Sequence, residues 1–305
     1  MSTPTRMHAD EADIDTALVR RLVAAQFPRW RGLPVTPVAS SGTDNAMYRL
    51  GDTMAVRLPR IPAAVGNVER EQRWLPRLAP HLPVAVPVPL AEGVPGEGFP
   101  WPWSVLRWLD GRNPVAGRPG LPDRLAADLA TFITALRRAD PAGAPPAGRG
   151  VPLAERDAPT REALRALRGE IDTRAAGAAW DDALRAPAPE PAPRVWTHGD
   201  LSPGNVLVTG DRLSAVIDFG GVGAGDPTVD LSVAWSLLPA ASRGVFRAGL
   251  GADDATWARG RGRALSIALI QLPYYRDRNP ALAATARHVI AEVVADRAGA
   301  AGQQS

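Results

Sequence analysis

Two neighbouring stretches of the sequence decide the fold, and they read WTHGDLSPGNVLV at residues 196–208 and AVIDFGG at residues 215–221. The apolar run that ends the first stretch and the one that begins the second, joined by a turn at Gly210–Asp211, predict a β-hairpin. A hairpin brings Asn205 and Asp218, which flank its two strands, to the same end. Carboxylate and amide oxygens suit Mg²⁺, which usually also keeps waters and phosphate oxygens as ligands. We therefore expect Asn205 and Asp218 to hold a magnesium ion.

A second carboxylate, Asp200, lies on the same loop as Asn205, in a segment rich in glycine and proline. An aspartate in such a loop is usually a turn or cap residue when it is seen alone. Here it is not needed as a metal ligand, and its carboxylate could accept the proton of an attacking hydroxyl. On the residues alone, a turn residue and a proton acceptor are both possible roles for Asp200.

These residues resemble the catalytic segment of the protein-kinase-like superfamily, which reads His-x-Asp-x-x-x-x-Asn followed by Asp-Phe-Gly. Both halves occur here in order, from His198 to Asn205 and then at Asp218. The resemblance implies that Asp200 is the catalytic base and that Asn205 and Asp218 hold Mg²⁺ against the phosphates of a nucleotide. It also implies a structural role for His198, which would orient the loop.

Two details of the segment resemble the aminoglycoside phosphotransferase family, a branch whose members act on small molecules. Gly199 stands where protein kinases usually have arginine, and GDPTVDL at residues 225–231 follows Asp218 with no long activation segment between them. In this resemblance Asp230 ties the catalytic loop to the following helix. Asp226 either has a structural role, as Asp-Pro turns often do, or faces the substrate.

The composition fits an ordinary globular enzyme. The 305 residues include 45% hydrophobic and 22% charged residues, with a net charge of +3 and no cysteine. Disulfides, thiolate metal sites and cysteine nucleophiles are thus excluded. Every basic residue is arginine, scattered among acids, which favours a solvated mixed-charge surface over a nucleic-acid face. We expect a cytoplasmic protein with no secretory signal, no membrane span and no obligate protein partner.

The order of the predicted elements indicates an α+β fold with two lobes, like that of protein kinases. Residues 1–108 would form the N-terminal nucleotide-binding lobe, a small antiparallel β-sheet carrying a helix. Residues 109–305 would form a larger, mainly helical lobe for catalysis and acceptor binding. The predicted helices are 15–30, 67–78 with Asn67 as its N-cap, 123–138, 160–184, 231–238, 257–272 and 282–297. The predicted strands are 35–38, 46–50, 54–58, 84–90 and 103–109, besides those of the hairpin.

The N-terminal lobe departs from the family pattern at one position. The family's phosphate-positioning lysine lies on the third strand and pairs with a glutamate on the lobe's helix. The matching strand here carries Arg57, a permanent cation of different shape. Glu71 is the expected partner and Glu69 the alternative; a plain surface arginine and glutamate remain a third interpretation.

The same resemblance indicates where a nucleotide would contact this lobe. The loop at residues 40–45 stands where the family covers the phosphates, and its Ser41, Gly42 and Thr43 offer backbone N–H groups and small hydroxyls. The end of the last strand would hold the purine, with Arg107 and Leu109 as the expected contacts. ATP and GTP both remain open as donor.

The acceptor would bind to helices of the C-terminal lobe, where QLPYYRDRNP at residues 271–280 is unusual. Tyr274, Tyr275 and Asp277 could line a polar site there, although a packed corner between helices explains them equally well. A cationic aminoglycoside would need an acidic wall. The residues that could supply one are Asp226, Asp277, Glu292 and Asp296.

The sequence predicts a Mg²⁺-dependent enzyme that moves phosphate from ATP or GTP to a hydroxyl of an antibiotic. An aminoglycoside is the first candidate for the acceptor. A macrolide or a peptide antibiotic also fits. Two further hypotheses remain. One is a metabolic kinase of the same fold, acting on choline, a sugar or homoserine. The other is an inactive nucleotide-binding module, for which Arg57 is the best support.

Overall fold

The computed structural model describes residues 11–38, 44–116 and 123–302. These residues separate into two compact units. Unit 1 comprises the described residues up to 80, residues 85–111 and residues 215–220. Unit 2 comprises residues 81–84, the described residues of 112–214 and those from 221 onwards.

Unit 1 is built on a five-stranded antiparallel sheet, with strand order β1-β2-β3-β5-β4. Its elements are α1 (Thr16–Gln26), β1 (Val35–Pro37), β2 (Asn45–Leu50), β3 (Met54–Pro59), α2 (Val65–Leu78), β4 (Pro89–Gly93) and β5 (Trp103–Arg107). The central strand β3 is buried along its whole length, and it pairs with β2 and β5 on its two sides. Arg57 therefore lies in the middle of the sheet, opposite Met47 and Ser104.

Helix α2 packs against this sheet and is tied to β5 by a side chain. The amide nitrogen of Gln72 donates to the backbone oxygen of Trp103 at 3.1 Å and to Ser104 Oγ at 2.9 Å. One face of the helix is buried and includes Val68, Glu71 and Leu75. The side chain of Glu71 thereby lies beside Arg57 on the sheet.

Several predicted bounds in unit 1 shift in the structure. Helix α2 begins at Val65, two residues before the expected cap at Asn67, because residues 62–64 already form a 3-10 turn that leads into it. The strand predicted at 84–90 forms as β4 at Pro89–Gly93. Three prolines between residues 83 and 89 lack the N–H that a ladder needs, so only the end of that run joins the sheet.

Unit 2 is mainly helical. Its helices are α3 (Asp123–Arg138), α4 (Asp157–Ala166), α5 (Thr173–Arg185), α6 (Val233–Ser236), α7 (Ala240–Gly249), α8 (Asp254–Tyr275) and α9 (Pro280–Gly302). Its short strands are β6 (Val195–Thr197), which pairs with β9 (Gly223–Gly225), and β7 (Val206–Thr209), which pairs with β8 (Arg212–Val216). The last two residues of β8 are counted in unit 1. The predicted hairpin is therefore present.

One prediction for unit 2 was wrong, and two elements of this unit were not predicted. The single helix expected at 160–184 is two helices, because Gly169 adopts a positive φ of 83° between them, which an α-helix does not accommodate. Helix α7 and strand β9 were not expected from the sequence. Strand β9 reads Gly-Ala-Gly, a composition that carries no strand signal.

Large buried side chains fill the interior of unit 2. Trp180, Trp196 and Trp235 are almost fully buried, and the apolar face of α3 contributes Phe132 and Ile133. The indole N–H of Trp196 donates to the backbone oxygen of Asp140 at 2.8 Å. This packing fixes strand β6, which leads directly into the loop of Asp200. Within the described ranges, no helix is both long and apolar enough to cross a membrane.

Candidate active site

The loop that carries Asp200 leaves β6 through an unusual backbone turn at Gly199. This glycine has φ of 82°, in the left-handed region that side chains disfavour. A Cβ at Gly199 would lie only 3.1 Å from the backbone oxygen of Gly221. Both the conformation and the close approach require glycine here. The arginine found at this position in protein kinases would not fit this turn.

Asp230 holds the start of the loop through two backbone hydrogen bonds. Its carboxylate accepts the N–H of His198 at 3.0 Å and that of Gly199 at 2.8 Å. The side chain is fully buried. Burial raises the pKa of the Asp230 carboxyl above its usual value, against the opposite pull of His198 and the two N–H groups. Asp230 thus fixes the path of the chain into Asp200.

His198 and Asn205 make the remaining contacts within the loop. The backbone N–H of Asp200 donates to Nδ1 of the buried His198 at 3.2 Å. The Asn205 amide nitrogen donates to the Asp200 backbone oxygen at 2.9 Å and to its Oδ2 at 3.3 Å. These bonds use the nitrogen of the amide and leave its oxygen as the atom suited to a cation.

Asn113 is a residue of this site that the sequence did not reveal. Its amide nitrogen donates to three backbone oxygens of the loop, those of Pro203 at 3.2 Å, Gly204 at 2.9 Å and Val206 at 2.9 Å. Asn113 follows β5 and precedes a proline, which in sequence indicates only a loop. The contact spans about 90 residues of chain, so no local pattern could have found it.

Arg149 is the second residue that was missed, and it contacts Asp200 directly. Its guanidinium forms an ion pair with the Asp200 carboxylate. Both side chains are partly exposed, at 38% and 39% of their surface. Arg149 comes from the Pro/Ala/Gly-rich segment before α4, which the sequence indicated only as a linker. The expected base is therefore flanked by a cation.

In unit 1, Arg57 is the centre of a buried polar cluster. Its guanidinium pairs with Glu71 and with Asp218 Oδ1, the latter at 3.0 Å. The amide oxygen of Asn45, when turned towards Arg57, accepts from Nη2 at 2.8 Å and from Nε at 3.2 Å. Burial alone would lower the pKa of Arg57, but Glu71 and Asp218 raise it above its usual value. Arg57 is thus a fixed cation, and Glu69 is exposed.

Asp218 is the most exposed member of this cluster. Its side chain is 42% exposed, compared with 5% for Arg57 and 1% for Glu71. Its backbone has a positive φ of 62°, an uncommon conformation that aspartate tolerates better than most residues. The two residues after it lie close to α2, because a Cβ at Gly220 would come within 2.9 Å of Asn67. The backbone thereby presents one carboxylate both to Arg57 and to solvent.

The expected nucleotide contacts are only partly described. Ser41, Gly42 and Thr43 lie outside the described residues. Arg107 ends β5 with an exposed side chain, and Leu109 is half-buried just beyond it. The backbone N–H of Trp108, between them, donates to the oxygen of Thr53. The assignment of Arg107 and Leu109 as purine contacts stays a prediction.

The expected acceptor residues fall into two separate places in unit 2. Asp226 accepts from the backbone and hydroxyl of Thr228 and pairs with Arg263 at 3.1 Å. Tyr274 stacks edge-on against Tyr275, with 4.8 Å between ring centroids. A surface cavity of about 400 Å³ near the end of α8 is lined by Ile270, Pro273, Tyr274, Asp277 and Arg278. Tyr275 does not line it.

Each of the four acids that could have formed an acidic wall is paired with arginine. Asp296 contacts Arg261 at 3.0 Å and Arg243 at 3.7 Å, and Glu292 also pairs with Arg243. Asp277 contacts Arg276 at 3.5 Å, and Asp226 has Arg263. Asp226, Glu292 and Asp296 are therefore largely engaged by arginines of the protein, whereas the side chain of Asp277 is 87% exposed.

The donor set for a metal is small. Across 11–38, 44–116 and 123–302, no three His, Cys, Asp or Glu residues group as metal ligands. Asn205 and Asp218 each present an oxygen-bearing, part-exposed side chain. Side chains of this kind suit Mg²⁺, and the assignment of these two residues as its ligands stays a prediction.

Comparison with known families establishes what kind of protein this is. Residues 35–265 match the model of the phosphotransferase enzyme family. The protein is therefore an enzyme that transfers phosphate to a hydroxyl group. More particularly, the chain belongs to that family, as the resemblance of the catalytic segment indicated. No curated protein matches the chain at the level of sequence.

Solved structures confirm the two-lobed α+β kinase-like fold. The GDP complex of wild-type aminoglycoside 2'-phosphotransferase-IIIa has a TM-score of 0.71 at 18% identity and covers 93% of this chain and 100% of that one. Macrolide 2'-phosphotransferase MphH from Brachybacterium faecium has a TM-score of 0.61 at 23% identity, and the match covers 90% of this chain and 98% of that protein. Macrolide 2'-phosphotransferase type I has a TM-score of 0.63 at 21% identity, and the match covers 90% of this chain and 97% of that protein. At these identities the likeness concerns the fold.

Proposed function

We propose that this chain is a Mg²⁺-dependent O-phosphotransferase that moves the γ-phosphate of ATP or GTP to a hydroxyl of a small-molecule antibiotic. The observation that carries the proposal is the loop of Asp200. Its backbone is fixed by Asp230, His198 and Asn113, while the Asp200 side chain stays part-exposed. A rigid backbone that presents a reachable carboxylate is what general base catalysis needs.

In this proposal Asp200 accepts the proton of the acceptor hydroxyl as its oxygen attacks the γ-phosphorus, and the bond to the nucleoside diphosphate breaks. Phosphoryl transfer depends mainly on positioning and on charge, so the base contributes by orienting the hydroxyl as well as by taking its proton. The bond from Asn205 to Asp200 Oδ2 restricts the rotation of the carboxylate. In this proposal Asn205 orients the Asp200 carboxylate and also binds Mg²⁺.

The donor would be held mainly by residues 1–108, with the remainder of the chain as the catalytic and acceptor lobe. Asn205 and Asp218 would hold Mg²⁺, which neutralises charge on the phosphates. Arg57, kept charged by Glu71 and Asp218, would supply the positive field of the family's lysine. Aminoglycoside phosphotransferases of the same fold have been solved with GDP and with ADP, which supports a nucleotide donor. Because nucleotides are cytoplasmic, we place the reaction there.

Two observations bear on the acceptor. Among proteins of this fold are an aminoglycoside phosphotransferase solved with gentamicin and macrolide 2'-phosphotransferases, which supports an antibiotic. The four acids expected to receive a polycation are instead paired with arginines. That pairing favours an acceptor less cationic than an aminoglycoside, and it keeps a metabolic alcohol such as a sugar as the second candidate.

The test is a panel of acceptors incubated with Mg²⁺ and either ATP or GTP, analysed by mass spectrometry for the gain of one phosphate. We expect a product with at least one antibiotic. Turnover of choline, a sugar or homoserine, with no antibiotic product, would replace the antibiotic proposal by the metabolic one. Absence of any nucleotide-dependent transfer would favour the inactive module.

The matched variants are Asp200→Asn and Asp211→Asn. Asp211 lies on the exposed turn of the hairpin, where it pairs with Arg124. Loss of a general base lowers the turnover rate by about 10²–10⁴-fold, so Asp200→Asn should lose kcat while the nucleotide Kd is unchanged. Asp211→Asn should keep both. Retained turnover in Asp200→Asn would remove it as the base.

A further inference from the structure

Arg149, which pairs with Asp200, is close to two further arginines, and the proposed reaction does not account for this positive charge. Three arginines of unit 2, Arg149, Arg156 and Arg263, are brought together by helix α8. Arg263 donates to the backbone oxygens of Arg149 at 3.1 Å and of Val151 at 2.6 Å. It thereby fixes the segment from which Arg149 reaches Asp200.

The same helix holds Arg156. Arg263 and Ser266 are three residues apart on α8 and so share one face. Arg156 Nε donates to Ser266 Oγ at 2.9 Å, and that hydroxyl also bonds Thr160 Oγ1 at 2.7 Å. Two neighbouring positions of one helix face therefore hold the segments of Arg149 and Arg156. The Arg156 side chain is partly exposed.

Two of these three arginines pair with carboxylates, and Asp157, which follows Arg156 in the chain, pairs with Arg161 instead. Arg263 pairs with Asp226, and Arg149 pairs with Asp200. Among the residues that the structure describes, Arg156 forms no ion pair. Burial, together with the positive charges of Arg263 and Arg149, lowers the pKa of Arg156 to about 10. A part-exposed guanidinium in a positive field, with one hydroxyl as partner of its Nε, is a group that an external oxyanion would stabilise.

We propose that Arg149 and Arg156 form an anion subsite that binds a carboxylate or a similar oxyanion of the acceptor, next to the hydroxyl that is phosphorylated. This inference rests on the proposed function, and it specifies the acceptor as a hydroxyl compound with a negative group. The ion pair of Arg149 with Asp200 is exposed enough to exchange one carboxylate for another. An anionic acceptor would thus engage Arg149 and leave Asp200 to take the hydroxyl proton.

An oxyanion could also come from the donor, as the γ-phosphate of the nucleotide. Position favours the acceptor, because Arg149 pairs with the carboxylate that receives the acceptor's proton. The two sources predict different kinetics. If the acceptor supplies the oxyanion, substitution of Arg156 raises KM for the acceptor. If the nucleotide supplies it, the same substitution raises KM for the nucleotide.

The first test measures anion binding without turnover. Thermal unfolding is followed in low-millimolar sodium sulfate, with sodium chloride at equal ionic strength as reference. The proteins are wild type, Arg156→Gln, Arg149→Gln and the control Arg124→Gln, whose arginine is exposed and pairs with Asp211. A ligand that binds only the folded state raises Tm. We expect sulfate to raise Tm for wild type and Arg124→Gln, with most of that rise lost in the other two variants.

An equal rise in all four proteins, or no rise in wild type, would overturn the subsite. Arg156→Lys keeps the positive charge and should recover part of the sulfate response. The sulfate result does not require an active enzyme, so it stands whether or not the proposed function holds.

The second test compares matched acceptors in the phosphate-transfer assay. Mupirocin, an antibiotic with hydroxyls and a carboxylate, is paired with its methyl ester, and kanamycin serves as the polycation. We expect the carboxylate form to have a kcat/KM higher by about tenfold or more, the size of one charged hydrogen bond. Arg156→Gln should remove that difference.

Preference for kanamycin, equal rates for acid and ester, or an increase in the nucleotide KM alone would overturn the acceptor assignment. If no compound is phosphorylated by a protein that binds sulfate through Arg156, the proposed function fails and the anion site remains.

Discussion

Two arginines pair with carboxylates of the candidate active site, and they do so in opposite surroundings. Arg57 lies in the middle of the unit 1 sheet, with 5% of its side chain exposed and a Glu71 partner that is 1% exposed. Arg149 extends from a surface segment of unit 2 to Asp200, and both of those side chains are nearly two-fifths exposed. A buried pair cannot lose one partner without leaving a desolvated charge, whereas an exposed pair is easily replaced by water or by a ligand. The buried pair of Arg57 with Glu71 is suited to holding a charge in place. The exposed pair of Arg149 with Asp200 is suited to exchanging one partner for another.

Removal of the buried partner should have the largest effect on stability. Among the described residues, Glu71→Gln leaves the buried Arg57 with Asp218 as its one paired carboxylate, and breaking a buried pair costs about 3–5 kcal/mol. Chemical denaturation followed by tryptophan fluorescence measures this loss. Glu69→Gln, an exposed position two residues away on α2, is the matched control and should change the free energy of unfolding little. Equal stabilities for the two variants would mean that the Arg57 cluster is not the fixed charge described above.

Substitution of Gly199, the residue before Asp200, should reduce stability more than substitution of the exposed Arg149. Gly199→Ala places a Cβ at a positive φ and 3.1 Å from the Gly221 oxygen, and a strained residue of this kind costs about 1–3 kcal/mol. Because Asp200 is the next residue, turnover should fall as well. Gly210→Ala also has a positive φ, of 62°, but its Cβ would meet no atom within 4 Å.

The Gly210 variant thus separates the cost of the conformation from the cost of the contact. We expect Gly210→Ala to keep its activity with a modest loss of stability. If both variants are equally active, the position of Asp200 does not depend on the close approach at Gly199.

The sequence predicted the parts of this molecule that rest on local patterns. His198, Asp200, Asn205 and Asp218 stand at fixed spacings along the chain, and strand periodicity placed Arg57 on β3. The alternatives for the partner of Arg57 were two residues apart on one helix, and packing of α2 on the sheet selects Glu71.

Residues that reach the site across the chain could not be found in this way. Asn113 and Arg149 lie in loops without periodicity, and their contacts with the catalytic loop span about 90 and 51 residues. Arg156 could not be found either, because the residue it contacts, Ser266, lies 110 residues further along the chain. A chain with 35 basic residues offers too many arginines for any one to be singled out by composition. The fold of unit 2 brings each of these three residues to its partner.

The exposed pair itself should contribute little to stability. Arg149→Gln removes a part-exposed ion pair, and such pairs are worth about 0–1 kcal/mol. The free energy of unfolding should therefore change by less than about 1 kcal/mol, several-fold less than for Glu71→Gln. A loss comparable to that of Glu71→Gln would contradict the idea of an exchangeable pair and would make Arg149 a structural residue.

The comparison extends to pH through Asp157, a surface carboxylate that follows Arg156 in the chain. Asp157 accepts from the indole N–H of Trp180 at 2.7 Å and from Arg161 at 2.8 Å. The hydrogen bond from Trp180, and after it the contacts with Arg161, lower the pKa of Asp157 below its usual value. The folded state therefore favours the ionised carboxyl. Its stabilising effect is present at pH values above the ordinary pKa of aspartate, about 3.9, and is lost as the pH falls through the lower folded value.

Asp157→Asn should accordingly reduce stability at neutral pH by less than about 1 kcal/mol, because the group is part-exposed. The difference from wild type should shrink as the pH falls below about 4. Unfolding curves of both proteins from pH 7 to the acid limit of the folded state measure this convergence. Asp181→Asn removes only the other carboxylate that Arg161 contacts, at 2.8 Å, and keeps the bond from Trp180. A difference that stays constant with pH would show that Asp157 acts through packing rather than through its charge.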